Sequence, residues 1–477
     1  MYIGLDLGTS GLKGILIDEA QNILAEASAP LTVQRPHDGW SEQRPADWVE
    51  AAETVLDHLA QFGLTAVKGI GLAGHMHGAT VLDVADEVLR PCILWNDTRS
   101  HVEAAELDGD PMFRRLTGNI VFPGFTAPKL LWLRHNEPRI WEKIAKIVLP
   151  KDYLRLWLTG EYVAEMSDAA GTGWLDTGKR DWSDACLDAT GLSRAQMPRL
   201  VEGATVSGQV RDVLAHRWGL PVGVVVAGGG GDNAAAAVGV GVVRSGGALV
   251  SLGTSGVLLA ASESYQPAAQ TAVHTFCHAV PNTWHQMGVI LAATDALNWY
   301  GALVGQSAEI LTQELDALQA PSKTAFLPYL GGERTPLNSA SVRGAFVGLE
   351  HTTDRAAGTR AVLEGVTYAL LDCKNALLAT GTKLDSLIAV GGGTNSAYWL
   401  AAIATALDIS IKIPVAGNFG AAFGAARLAI MAAHDLGAEI ATEPPISTVI
   451  DPVRSLSQAF DAGYDRFRDL QSAMLTY

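Results

Sequence analysis

Tyr2-Ile3-Gly4-Leu5-Asp6-Leu7-Gly8-Thr9-Ser10-Gly11 begins as an apolar, strand-like run and ends in five letters that return unchanged at Leu252-Gly253-Thr254-Ser255-Gly256. Each copy is preceded by a strand-like run, Tyr2 to Leu5 and Ala248 to Ser251, and followed by another, Leu12 to Ile17 and Val257 to Ala261. Two apolar runs around a Gly-Thr-Ser turn predict a β-hairpin. Its repetition in a chain of 477 residues predicts two similar halves. Around the hairpins, helical spacing over 45–61 leads into a strand over 67–73. A strand over 221–227 runs into four glycines and an Ala-rich helix from Asn233, and Leu387 to Val390 runs into Gly391-Gly392-Gly393. Helices are expected over 397–407 and 421–433. Strands that end in glycine turns before helices give an α/β class, with the division placed near residue 241 and halves of 1–241 and 242–477.

Composition excludes several functions. Lys plus Arg is 34 against 50 Asp plus Glu, a net charge of −16, and no basic tract occurs, so a nucleic-acid partner is not expected. The four cysteines form no CxxC pair and read as reduced core residues. No basic region precedes the first apolar run, and the longest uncharged apolar stretches are about half the ~20 residues of a bilayer span. A cytoplasmic protein that spans no membrane is the expectation.

The motifs narrow the chemistry further. Asp6 stands at a strand end beside a turn whose amides and hydroxyls can face one anion, an arrangement able to hold phosphate oxygens while the carboxylate holds Mg²⁺. Two such turns can clamp a polyphosphate from both sides. Gly228 to Ala234 contains G-x-G-x-x-A after a strand, but no Asp or Glu lies between Asp232 and Glu263 to hold a ribose, so a dinucleotide site is excluded. What remains is Asp232 at a helix start, a candidate general base, with an N-cap Asp as the alternative on this segment alone. Gly173 to Lys179 fits G-x-x-x-x-G-K, yet Arg180 stands where a P-loop needs Ser or Thr. His75-Met76-His77 follows a strand, where residues two apart share a face; without further ligands at regular spacing it suits a polyol-binding imidazole better than zinc. Trp95, beside Asn96-Asp97, can stack on a sugar.

Eight phrases, in order along the chain, resemble the FGGY carbohydrate kinases of the actin-like ATPase superfold, and among them the bacterial xylulokinases. They are residues 2–11 (YIGLDLGTSG), 71–80 (GLAGHMHGAT), 93–99 (ILWNDTR), 125–132 (FTAPKLLW), 149–154 (LPKDYL), 229–234 (GGGDNA), 327–336 (LPYLGGERTP) and 424–428 (GAARL). The resemblance implies two actin-like (ribonuclease H-like) domains with a nucleotide cleft between them. It implies phosphorylation of D-xylulose to D-xylulose 5-phosphate by ATP and Mg²⁺, with another ketopentose or a pentitol as the alternative substrate. Asp232 is then the base, and Asp6 with Asp232 supports the metal. Thr9, Ser10, Gly11, Lys13, Gly253 and Thr254 line the phosphates, and Gly392 and Gly393 the adenosine. Met76, His77 and Asn233 join Asp232 on the sugar side, and a homodimer is open. The sequence departs from the family pattern at His75, where Gln is usual, and at Leu337, where His is common. A chaperone or filament ATPase on the same superfold would lack the sugar-side base.

Overall fold

A computed structural model describes residues 1–475 except Ala416 and Asn418. The first sheet takes β1 (Tyr2–Leu7), β2 (Gly11–Ile17), β3 (Ile23–Pro30), β4 (Gly69–Gly74), β5 (Val206–Gln209), β6 (Val225–Ala227) and β7 (Gly230–Gly231). The second takes β8 (Gly246–Leu252), β9 (Gly256–Ser262), β10 (His274–Cys277), β11 (Trp284–Ile290), β12 (Leu384–Val390), β13 (Ile411–Pro414) and β14 (Ile446–Ile450).

The first sheet runs β5-β6-β4-β1-β2-β3, with β7 also on β4, and the second runs β10-β11-β9-β8-β12-β13-β14. Both contain the same inner pattern. A hairpin extended by a third antiparallel strand, β1-β2-β3 or β8-β9-β11, is joined through its first strand to two parallel strands, β4-β6 or β12-β13. Two α/β sheets of one strand order are the halves that the repeated pentapeptide predicts. The strand expected over 221–227 is shorter than its apolar run, forming only at Val225–Ala227.

The helices that place the site are α1 (Pro45–Leu59), α2 (Pro150–Thr159), α3 (Asp232–Gly239), α4 (Arg355–Ala379), α5 (Ala397–Leu407) and α6 (Ala421–His434). Period-two alternation sorts β1 between two layers. Ile3, Leu5 and Leu7 pack with Trp48, Val55 and Leu59 of α1, whereas Tyr2 packs with Ala422 and Ala426 of α6. Thus α6, from the second half, covers the first sheet, while Ala237 of α3 and Val240 just after it, from the first half, pack with Leu249 and Ile388 of the second sheet.

This exchange needs small residues where backbones meet. A Cβ at Gly4 or Gly71 would lie 1.9 or 1.8 Å from the carbonyl oxygen of Ala422 or Ala425, and one at Gly424 1.7 Å from that of Ala235. Asp6 shares the α6-facing side of β1 with Tyr2 and Gly4, so alternation alone turns its carboxylate toward the space between the halves.

Candidate active site

Two carboxylates occupy that space. Asp232 is the first residue of α3, directly after β7, whose Gly230 and Gly231 pair with Ala73 and Gly74 of β4. Its Oδ1 accepts from the Asn233 amide at 2.7 Å and from Asn233 Nδ2 at 3.0 Å, and burial nevertheless pushes its carboxyl up to about 6. Burial also pushes Asp6 up to about 7, the negative charge of Asp232 adds to the rise, and Lys13 opposes it. Asp6 Oδ1 is buried without a hydrogen-bond partner.

An Asp6 oxygen without a donor, near enough to Asp232 to feel its charge, can be relieved by a proton or by a cation. Among the described residues no group of three or more His, Cys, Asp or Glu is placed to hold a metal ion, so this is no closed protein cage of the zinc type. Mg²⁺, which takes one or two carboxylates and fills its octahedron with water and phosphate oxygens, fits the donor set.

Beside Asp232 opens a cavity of about 480 Å³ lined by Met76, His77, Trp95, Asn233, Phe125 and Arg334 among others. The backbone of His77 is left-handed, φ 69°, so the chain turns as it leaves β4 and the two histidines diverge. The shared face expected of His75 and His77 is therefore absent. The His77 ring stacks on Phe125, 4.8 Å between centroids, and its Nδ1 lies 2.6 Å from the Gly171 carbonyl oxygen. A carbonyl can only accept, so Nδ1 carries the hydrogen and Nε2 keeps a lone pair. Burial pushes His77 down to about 3, which leaves it neutral.

His75 instead sits edge-on to Trp48 at 5.8 Å, buried, with both ring nitrogens unpartnered, and it does not line the cavity. Leu337 packs against the second-half core. Neither departure from the family pattern touches the pocket.

The two Gly-Thr-Ser turns hold the residues expected at the phosphates. Gly8 and Gly253 close their own hairpins, donating to the Gly11 and Ser255 carbonyls at 3.0 and 3.1 Å, while Ser10, Thr254 and Ser255 are exposed at the tips. Thr9 Oγ1 accepts from Trp95 Nε1 at 2.9 Å, which ties the first turn to the cavity wall. Gly11 lies against the next strand, where a Cβ would meet the Ala29 carbonyl oxygen at 2.8 Å. Lys13 stands opposite Asp6 across the hairpin, but its Nζ turns to Glu26 at 3.4 Å, away from the turn tip. Gly392 and Gly393 begin a helical turn after β12 and line a second cavity of about 530 Å³ with Thr294, Asn298 and Trp399.

The chain matches the FGGY family of carbohydrate kinases, N-terminal domain, over residues 1–239 and the C-terminal domain of the same family over residues 248–433. The chain belongs to the FGGY family of carbohydrate kinases. Among its relatives, the xylulose kinase of Escherichia coli strain K12 is 46% identical over 481 residues, covering 100% of this chain and 99% of that protein. The xylulose kinase of Klebsiella pneumoniae is 48% identical over 445 residues, 91% of this chain and 90% of that one. A crystal structure from Brucella ovis, described as a xyloylose kinase, superposes with a TM-score of 0.98 at 57% identity, covering 100% of this chain and 99% of that one. The first sheet falls within the N-terminal match and most of the second within the C-terminal match, and no helix among the described residues is long and apolar enough to cross a membrane.

Met76, His77, Asp232 and Asn233, the residues expected on the sugar side, all lie in the first half and line the sugar-side cavity. His274, Phe276, Met287 and Arg334, all from the second half, also line the sugar-side cavity. The Arg334 guanidinium lies over Phe122 at 4.7 Å, and its Nη1 is 3.3 Å from His274 Nε2. Lys129, fully buried, donates to the carbonyls of His77 at 2.9 Å and Gly124 at 2.6 Å, fixing the turn that carries His77. Arg334 stands inside the quoted 327–336 phrase and Lys129 inside 125–132, so both were visible as letters. Nothing local showed which cavity they reach.

Proposed function

We propose that the protein transfers the terminal phosphoryl group of ATP to D-xylulose, giving D-xylulose 5-phosphate, with Asp232 as the general base. The observation that carries this reading is Asp232 itself, which borders a cavity of sugar size on one side and has the Asp6 carboxylate as an electrostatic neighbour on the other. The full-length likeness to xylulose kinases supports the choice of ketose.

Phosphoryl transfer asks mainly for alignment and charge neutralisation. Asp232 accepts the proton of the attacking hydroxyl. Its carboxyl at about 6 leaves it ionised at neutral pH yet basic enough to take that proton. Neutral His77 offers Nε2 as an acceptor for a sugar hydroxyl, Asn233 lies beside the base, and Met76 and Phe125 exclude water from the wall. The turns at Thr9 to Gly11 and Gly253 to Thr254 cradle the phosphates, Lys13 swings from Glu26 to supply positive charge when they bind, and Gly392 and Gly393 flank the adenosine. Asp6 and Asp232 would hold Mg²⁺, which when bound neutralises charge on the phosphates.

The halves, divided near residue 241, each carry one hairpin, so full contact with ATP requires both to approach it. A kinase of ribulose or a pentitol is the second reading, since Arg334 and His274 add polar groups that no sequence motif ties to one sugar. Release of ADP measured over a panel of pentuloses and pentitols, with ³¹P and ¹³C NMR of the product, tests the proposal. The expected outcome is highest kcat/KM for D-xylulose with phosphate on its C5 oxygen. A better ribulose or pentitol, or phosphate on another oxygen, would replace the substrate.

A further inference from the structure

Behind the glycine strand that ends at Asp232 lies a sealed cluster of charge. Lys151, Asp152, Arg155, Glu165 and Asp168 are all buried with 0% exposure, although buried ions seldom stabilise a fold better than apolar packing. Lys151 Nζ lies 2.8 Å from Asp152 Oδ1, 2.9 Å from Asp168 Oδ2 and 3.4 Å from Glu165 Oε1.

The cluster reaches the glycine strand at two places. The Arg155 guanidinium donates to the carbonyls of Ala227 at 2.6 Å and Gly228 at 2.5 Å, holding the strand before its turn. Past the turn the link is Ser167, whose Oγ donates to Glu165 Oε1 at 2.9 Å and accepts from the Gly231 amide at 3.0 Å. Glu165 Oε1, which also accepts from the Asp168 amide at 2.8 Å, takes the Ser167 hydrogen and leaves the hydroxyl lone pair for Gly231. Gly231 is the residue before Asp232. Between the two tethers, Gly229 adopts φ 79° and has no room for a Cβ, which would lie 2.0 Å from the Leu72 carbonyl oxygen. The strand itself has no side chains with which to fix its place.

We propose that Ser167, polarised by Glu165, is a positioning residue for the phosphoryl-transfer reaction: through the Gly231 amide it fixes where the Asp232 carboxylate stands relative to the sugar hydroxyl. The inference rests on the reading of Asp232 as the base. A displacement of about 1 Å at a reacting group can cost about 10²-fold in rate, so a tether one residue from the base affects turnover before it affects binding.

The test compares Ser167→Ala, Ser167→Thr and Asp232→Asn in the full-length protein, with kcat, both KM values and the unfolding temperature measured for each. Ser167→Ala is expected to lower kcat about tenfold or more while the ketose and ATP KM values stay within about twofold. Ser167→Thr, which keeps the hydroxyl, is expected to recover kcat to within about threefold of the parent. Should Ser167→Ala not fold, Glu165→Gln takes its place, keeping an acceptor oxygen but losing the charge, with kcat again expected to fall at unchanged KM. A Ser167→Ala enzyme with more than half of the parental kcat, a loss confined to KM, or no recovery with Thr overturns the positioning role while leaving the base in place. High activity in Asp232→Asn overturns the base reading itself, and the positioning role with it.

Discussion

The negative charge of Asp232 raises the proton affinity of Asp6, although the two residues are far apart in sequence and lie on different elements of the cleft. A proton or a cation must therefore relieve the pair, and the two compete. Both carboxyls stand above the ordinary 3.8 in the folded chain, at about 7 and about 6, so their favourable contribution to stability is complete below pH 3.8 and is lost as pH rises through those values. On the proposed reading Mg²⁺ would take the place of the proton. The rise in unfolding temperature on adding Mg²⁺ is expected to be larger at pH 8 than at pH 5.5, and Asp6→Asn is expected to raise the Mg²⁺ concentration needed for half-maximal turnover by at least ~10-fold. A thermal shift equal at both pH values would count against a shared metal.

Turnover should follow the same titration. With Asp232 ionising at about 6, kcat/KM is expected to fall tenfold per pH unit below that value and to level off above it, on the acid side of any second group. A profile flat down to pH 4.5 would show that no buried carboxylate acts as base.

His77 presents Nε2 to the cavity because Gly171 holds Nδ1. His77→Ala is expected to raise the ketose KM by an amount corresponding to about 1 to 3 kcal/mol and to leave the ATP KM nearly unchanged. Steady-state kinetics with each substrate varied in turn distinguishes this from a nucleotide-side role, which would move the ATP KM instead.

Gly71 and Ala425 meet where α6 crosses the first sheet, and a Cβ at Gly71 would lie 1.8 Å from the Ala425 carbonyl oxygen. Gly71→Ala should destabilise the fold by about 1 to 3 kcal/mol or more, since backbone rather than a flexible side chain must yield. Chemical denaturation measures this, and a neutral substitution would show that α6 can leave the sheet without cost.

Much of this was legible in the sequence, and the remainder was not, for physical reasons. The hairpins at Gly8 to Gly11 and Gly253 to Gly256 show themselves because alternation and turn glycines are local. Asp232 does so because a glycine run has no other side chain to offer. The role of Gly4 and Gly71 could not be read, because what forbids a Cβ there is a helix some 350 to 420 residues further along. The divergence of His75 from His77 could not be read, since it follows from a positive φ at His77 that no local motif announces. Arg334 and His274 look like ordinary loop and strand residues until the second sheet is set beside the first.

Turnover of Asp232→Asn with D-xylulose and Mg-ATP at pH 7.5, alongside calorimetric affinities for both ligands, tests the mechanism most directly. The carboxamide keeps the shape and the neighbour Asn233 but cannot accept the proton. The expected result is a loss of about 10² to 10⁴ in kcat with both affinities retained. A variant that keeps more than about a tenth of the parental rate, on the scale that proton transfer to a base commands, would contradict the account.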